Sequence, residues 1–169
     1  SKVINFLRER YKQRMLRSGY ESDFIEAVIS IEFDRINQLR LRIEQLKRFA
    51  SESHEFSELA LTSKRVNNIL KKQKELFEVD PRGFKDTCEL ALWETYQVLK
   101  DDVYECIERK AYYQALDLMA GLRKPVDDFF DGVEVLVKDN RTLRENRIGL
   151  LQHIGRLFLS IADFSKFSI

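Results

Sequence analysis

The sequence predicts an all-α bundle of about seven to eight helices, and three observations carry that prediction. Apolar residues recur three and four positions apart through nearly the whole chain, the spacing of one face of a helix turning about 100° per residue. With 6 glycines and 2 prolines in 169 residues there are few breaks, so the helices run long. A hydrophobic fraction of 44% beside 34% charged residues suits a chain that buries one core and faces water elsewhere. The chain opens without methionine on a pattern already helical, and residues 1–169 are expected to form a single domain cut from a larger protein.

The elements follow in order. Ile4, Leu7, Tyr11 and Met15 mark one face of a first helix, and Gly19 after Ser18 is its expected C-terminal cap. A short helix is expected from about Asp23 to Ile31, then a longer one with Ile36, Leu39, Ile43 and Leu46 on one face. "FASESHEF" separates it from the next, with Ser51 or Ser53 as N-cap. In "QKELFEVDPRGFKD", Pro81 and Gly83 break the pattern, and Asp86 with Glu89 has capping-box spacing. A long helix through Trp93 and Tyr104 follows, then one around "YYQALDLMAGL", one from Pro125 to about Val137, and a last from about Asn140 to Phe164. Pro125 suits a first turn, where its missing N–H costs nothing.

Several function classes fall away. No apolar run approaches the roughly 18 to 20 residues that span a bilayer, and "SKVINFLRERYK" has no apolar signal core, so the expected location is cytoplasmic. Cys88 and Cys106 lie in helical patterns without metal-type spacing, which argues for free thiols. There is no Gly-rich phosphate loop and no nucleophile beside a base. The acidic pairs Asp101-Asp102 and Asp127-Asp128 are consecutive on helices and diverge. A binding module is expected, not a catalyst. His54 takes no role, and His153, on the outer border of an apolar stripe, is expected to be structural.

Net charge is +1, but unevenly spread. Residues 1–75 hold 16 Lys and Arg against 11 Asp and Glu, residues 76–137 hold 7 against 14, and residues 138–169 hold 6 against 3. Two basic ends flank an acidic middle. Either the ends meet RNA, or the segments pack on one another by charge.

The stretch "TSKRVNNILKKQ" concentrates the question. Val66, Ile69 and Leu70 fall on one side of a helix, while Lys64, Arg65, Asn68, Lys71 and Lys72 gather on the other. A solvated face is the ordinary account of such cations. Against it, no acid follows until Glu75, so the usual i,i+4 pairs are missing, and two asparagines are weak helix formers. Phosphates would explain the cations, and base edges or ribose would explain Asn68. The first helix presents Phe6, Arg10, Gln13 and Arg17, which suits either an unstacked base or another domain of the parent protein. In the last helix Arg147 interrupts the stripe Leu143, Leu150, Leu151, Ile154, Leu157, Phe158 and Ile161, so its guanidinium needs a partner. Asp127 and Asp131 are the expected partners, in an ion pair locking the C-terminal hairpin.

Two separated motifs carry a family resemblance. "KRVNNILKK" (64–72) resembles the K-R-V-x-N-I-L-K-K stretch, and "PVDDFFDGVEVLVKDNRTLRENRIGLLQHIGRLFLSIADFSKF" (125–167) the closing segment, of the bacterial glycyl-tRNA synthetase β subunit. "FLRERYKQRMLRSGYESDFIEAVIS" resembles that subunit's preceding helix and turn, so almost the whole chain is covered. The part resembled is the C-terminal DALR-type anticodon-binding domain, a helical bundle. The resemblance implies a non-catalytic domain engaging the anticodon side of glycine tRNA, joined to the rest of a β subunit. It further implies a class II synthetase of α2β2 form whose α subunit activates glycine with ATP and Mg²⁺, with no cofactor in this domain. Lys64, Arg65, Asn68, Lys71 and Lys72 fall on the family's basic stretch, Arg10 on its first-helix arginine, and Asp127, Asp131, Asn146 and Arg147 on its closing motif. Gly132, Glu134 and Ile148 depart from that motif, where Ala, an apolar residue and Leu are common. The alternative from another class is a helical protein-docking domain without direct RNA contact.

Overall fold

In a computed structural model, residues 2–31, 33 and 36–168 are described, apart from the side chains of Ile36 and Asn37. Eight α-helices occupy the described residues: α1 Lys2–Arg17, α2 Ser22–Ile29, α3 Ile36–Glu52, α4 Glu55–Leu70, α5 Thr87–Glu108, α6 Tyr112–Ala120, α7 Arg123–Gly132 and α8 Arg141–Leu159. Short 3₁₀ turns at Pro81–Gly83 and Phe164–Lys166 complete them, and no strand occurs among the described residues. No helix among them is long and apolar enough to cross a membrane.

Local signals place most ends. Gly19, at φ 88°, closes α1 in a Schellman arrangement, its N–H donating to Leu16 O and that of Tyr20 to Met15 O. Asp86 and Glu89 form the expected capping box at α5, and the Asn140 side chain accepts from Leu143 N at 3.0 Å to start α8. Ser53 Oγ accepts from Glu55 N at 3.2 Å at the start of α4, while Ser51 lies inside α3. Two helices stop sooner than their periodicity predicts. After Gly132 the chain turns extended at Val133, because Val135 is buried and the Glu134 carbonyl is claimed by Arg147. After Leu159 the helix gives way, and Asp163 N donates to Ala27 O at 2.8 Å, pinning the C-terminal turn onto α2.

One apolar core runs from Met15 to Phe167. Helix α4 packs against α8, α7, α3 and α6, while α5 packs on α6, α7 and α8. Leu39, Ile43 and Leu46 line the buried face of α3 as expected, and the Ile36 side chain lies outside the described residues. The α1 face divides: Tyr11 and Met15 turn inward, but Ile4 and Leu7 remain exposed beside Val3 and Phe6.

Arg147 does not pair with Asp127 or Asp131. Its Nε donates to Glu89 Oε1 at 2.7 Å, with side-chain exposures of 7% and 0%, and its Nη1 donates to Glu134 O at 2.9 Å. The reason lies in the fold: Glu89 sits in the first turn of α5, facing α8, whereas the aspartates face α4. Glu89 Oε2 meanwhile accepts from Lys85 N at 2.7 Å and Asp86 N at 2.8 Å. One carboxylate thus closes the capping box and neutralises the buried guanidinium.

Along α8, Asn146, Gly149 and Gln152 hold the irregular segment 71–80. Asn146 accepts from Asp80 N at 2.8 Å and donates to Asp80 O at 2.9 Å. Gln152 does the same two turns on, accepting from Phe77 N at 2.9 Å and donating to Glu75 O at 2.7 Å. Between them Gly149 lets the segment lie close, for a Cβ there would stand 2.9 Å from Phe77 O. At Gly132, a departure from the closing motif, a Cβ would lie 2.8 Å from Cys88 Sγ, so alanine there needs the thiol to turn aside. Glu134 is exposed and uses its carbonyl, so an apolar side chain is not required.

His153 joins α8 to α5, its ring centroid 5.5 Å from those of Trp93 and Tyr96. Arg156 Nη2 stands 3.1 Å from His153 Nδ1, and since guanidinium only donates, Nδ1 accepts and the imidazole is neutral. Burial first, then Arg156 and Lys100, holds its pKa below the usual imidazole value, Glu78 opposing weakly. Cys88 and Cys106 are free thiols, and burial, then Asp86, pushes Cys88 up to about 11.

Three outcomes are expected. Arg147→Leu leaves Glu89 buried and unpaired and lowers unfolding free energy by roughly 3 kcal/mol in chemical denaturation, whereas Asp131→Ala costs less than about 1 kcal/mol. Gly149→Ala meets backbone that cannot swing aside and costs roughly 1–3 kcal/mol by the same measurement. Because the folded-state pKa of His153 is depressed, its stabilising contribution is complete above the unfolded value of about 6.5 and is lost as pH falls from there through the folded value. His153→Phe should flatten that part of the stability-versus-pH curve.

Candidate nucleic-acid interface

The last turns of α4 and α8 and the start of the 71–80 segment border an open groove of about 670 Å³. Leu70, Leu76 and Leu159 supply its apolar lining, and at Gly155 the helices come near enough that a Cβ would meet Leu70 Cδ1 at 2.7 Å. Lys64, Lys71 and Arg156 stand on its walls with the amides of Asn67, Asn68 and Gln73. Asp163 and Ser165 close one end, where Asp163 Oδ1 accepts from Ser165 N at 3.0 Å and Ser165 Oγ at 2.6 Å. Among the described lining residues three cations therefore face one acid, already committed to a turn.

The sequence-predicted residues divide between several places. Lys64, Asn68 and Lys71 come together in this groove; Lys71 Nζ donates to Asn68 Oδ1 at 3.0 Å, which leaves the Asn68 amide N–H₂ for a ligand, and Lys64 Nζ donates to Phe167 O. Arg65 faces the other way. Its guanidinium lies 4.4 Å from the Phe130 ring centroid, with Nη2 3.4 Å from Asp131 and Nη1 3.9 Å from Asp127. Arg123 extends that cluster to Asp127, Glu55 and Glu58, so acids of the middle segment occupy this side of α4. Lys72 lies across the 71–80 segment and does not line the groove. Arg10 and Arg17 are exposed on α1, which contributes no lining residue, and Arg10 sits 5.5 Å from the centroid of the Phe6 ring.

Sequence reasoning missed Asn67, Gln73, Gln152 and Arg156. Arg156 carried a signal: it follows Gly155, and an interior glycine on an apolar stripe marks a close approach. Gln152 could not be separated from a solvated polar residue, because its partners are backbone groups more than seventy positions away. The groove offers charge for phosphate, amides for base edges and apolar surface for a base, with the Arg156 guanidinium as a flat stacking partner. Among the described residues no group of three or more His, Cys, Asp or Glu side chains could hold a metal.

Comparison with known proteins is consistent with that chemistry. The chain is 38% identical over 168 residues to a protein of Acidithiobacillus ferrooxidans named glycine–tRNA ligase β subunit, covering 98% of this chain and 24% of the relative. Proteins of the same name from Geotalea daltonii and Thermodesulfovibrio yellowstonii are 37% and 31% identical, covering 97% and 95% of this chain and 23% of each relative. The chain thus spans about a quarter of the length of the curated relatives it matches. The pattern of the DALR anticodon binding domain matches residues 59–163, which take in most of α4 with its cations, the 71–80 segment, the Glu89–Arg147 pair and all of α8. On that match the chain belongs to the DALR anticodon binding domain family.

Proposed function

We propose that this chain is the tRNA anticodon-binding domain of a glycine–tRNA ligase β subunit, with the groove between α4 and α8 holding unstacked nucleotides of the anticodon loop. The observation that carries the reading is the convergence of Lys64, Lys71 and Arg156 with Asn67, Asn68 and Gln73 in one groove beside exposed apolar side chains. Single-stranded RNA is bound in this way, its charge taken by Lys and Arg while amides meet the edges of splayed bases. The names of the relatives supply glycine as the amino acid of the ligase. In this reading the fragment performs no chemistry itself. It orients glycine tRNA within a cytoplasmic class II α2β2 synthetase, whose α subunit uses ATP and Mg²⁺.

Arg65 is assigned a structural role, clamping α4 to α7 through Asp127 and Asp131. Fluorescence titration of a glycine tRNA anticodon stem-loop against ionic strength tests both assignments. Lys71→Ala/Arg156→Ala should weaken binding and reduce the log-log salt slope by about 1.4, at about 0.7 per single-strand phosphate contact. Arg65→Ala should leave the slope at its wild-type value. Binding and slope both unchanged in the double variant would return the groove to a protein-docking role.

A further inference from the structure

The first groove has a counterpart. Segment 71–80 leaves α4 as a ridge, and on its other side lies a second groove of about 550 Å³ between the ridge, the connection preceding α8 and the first turns of α8. Lys72, Lys74, Arg141 and Arg144 line it against two acids, Glu75 and Glu145. Glu145 is taken by Arg141 Nε at 2.6 Å, whereas Lys72, Lys74 and Arg144 have no carboxylate at ion-pair distance among the described residues. Gln73 lines both grooves, so they meet at the ridge. The ridge itself is fixed by the hydrogen bonds of Asn146 and Gln152 and by the close approach at Gly149.

Neighbouring lysines of the ridge lie on opposite sides: Lys71 lines the first groove, and Lys72 and Lys74 line the second. Like charges held by a rigid backbone with too few acids repel one another. A polyanion relieves that repulsion. The two grooves differ in kind, since the second lacks the asparagine pair of the first and offers mainly charge. We infer that the second groove is a phosphate-binding track for the same RNA strand: nucleotides seated in the first groove continue over the ridge at Gln73, and their neighbouring phosphates are held by Lys72, Lys74 and Arg144. This rests on the anticodon-binding reading and adds to it a site that reads charge and not sequence.

The test uses the intact chain, glycine tRNA, and a tRNA with a changed anticodon. Lys74→Ala/Arg144→Ala is compared with Lys71→Ala/Arg156→Ala and with Arg48→Ala/Arg109→Ala, which removes the same charge from residues that line neither groove. All the replaced side chains are partly or fully exposed, and thermal melts confirm folding. The second-groove variant should lower affinity for both tRNAs by the same factor and reduce the salt slope by about 1.4 relative to wild type. The first-groove variant should also narrow the preference between the two tRNAs. A second-groove variant no weaker than the charge-matched control, while the first-groove variant loses affinity, overturns the track and leaves the anticodon-binding reading intact. Loss of discrimination in the second-groove variant would equally overturn the track, by making it a base-reading site. No loss in either groove's variant overturns both.

Discussion

The ion pair between Glu89 and Arg147 is the constraint on which the arrangement of the functional face depends. A guanidinium drawn into an apolar stripe is costly unless its charge is met and its remaining N–H groups are used. Glu89 meets the charge while holding the amides of Lys85 and Asp86, and Arg147 spends another donor on Glu134 O. Helix α5, the turn before it, the connection after α7 and the middle of α8 are therefore fixed to one another at a single buried point. Such pairs contribute little net stability compared with apolar replacements, but they penalise every arrangement in which one partner is left alone.

From that point the same helix positions the ridge. Asn146 precedes Arg147, and with Gly149 and Gln152 it presents hydrogen-bonding groups and an open backbone surface to a segment that has no secondary structure of its own. The peptide groups of Glu75, Phe77 and Asp80 find in these side chains the partners that a helix or strand would otherwise supply. An irregular segment so held can carry lysines at defined places, whereas a loose loop would lose entropy on binding. Arg42, also buried, performs a related task at the far end of α8, donating to the carbonyls of Ser160 and Ile161 at 3.4 and 3.3 Å.

Charge is used in two ways on α4. The acidic middle of the chain does pack on the basic first part where Arg65 meets Asp127 and Asp131, while Arg123 of the middle reaches back to Glu55 and Glu58, joining α4 to α7. Around the same helix, Lys64, Asn68 and Lys71 face a groove where the one carboxylate among the described lining residues is already bonded to Ser165. The two accounts of the uneven charge distribution are both realised, on opposite sides of one helix.

Features that depend on neighbours within about four residues are legible in the sequence. Helical spacing, the Gly19 cap, the Asp86–Glu89 box and the segregation of Val66 from Lys64 and Lys71 are all local, and local geometry is nearly the same in any helix. The sequence also showed that Arg147 must have a partner, since burial of a charge on an apolar stripe is legible without a structure. Only the tertiary structure decided that the partner is Glu89, that α7 stops at Gly132, that Arg65 faces acid while Lys71 faces a groove, and that Gln152 and Arg156 belong to the functional face. Those outcomes turn on which helix crosses which, and at what height. An i,i+4 pattern fixes the side of a helix on which a residue lies but not the element that comes to cover it.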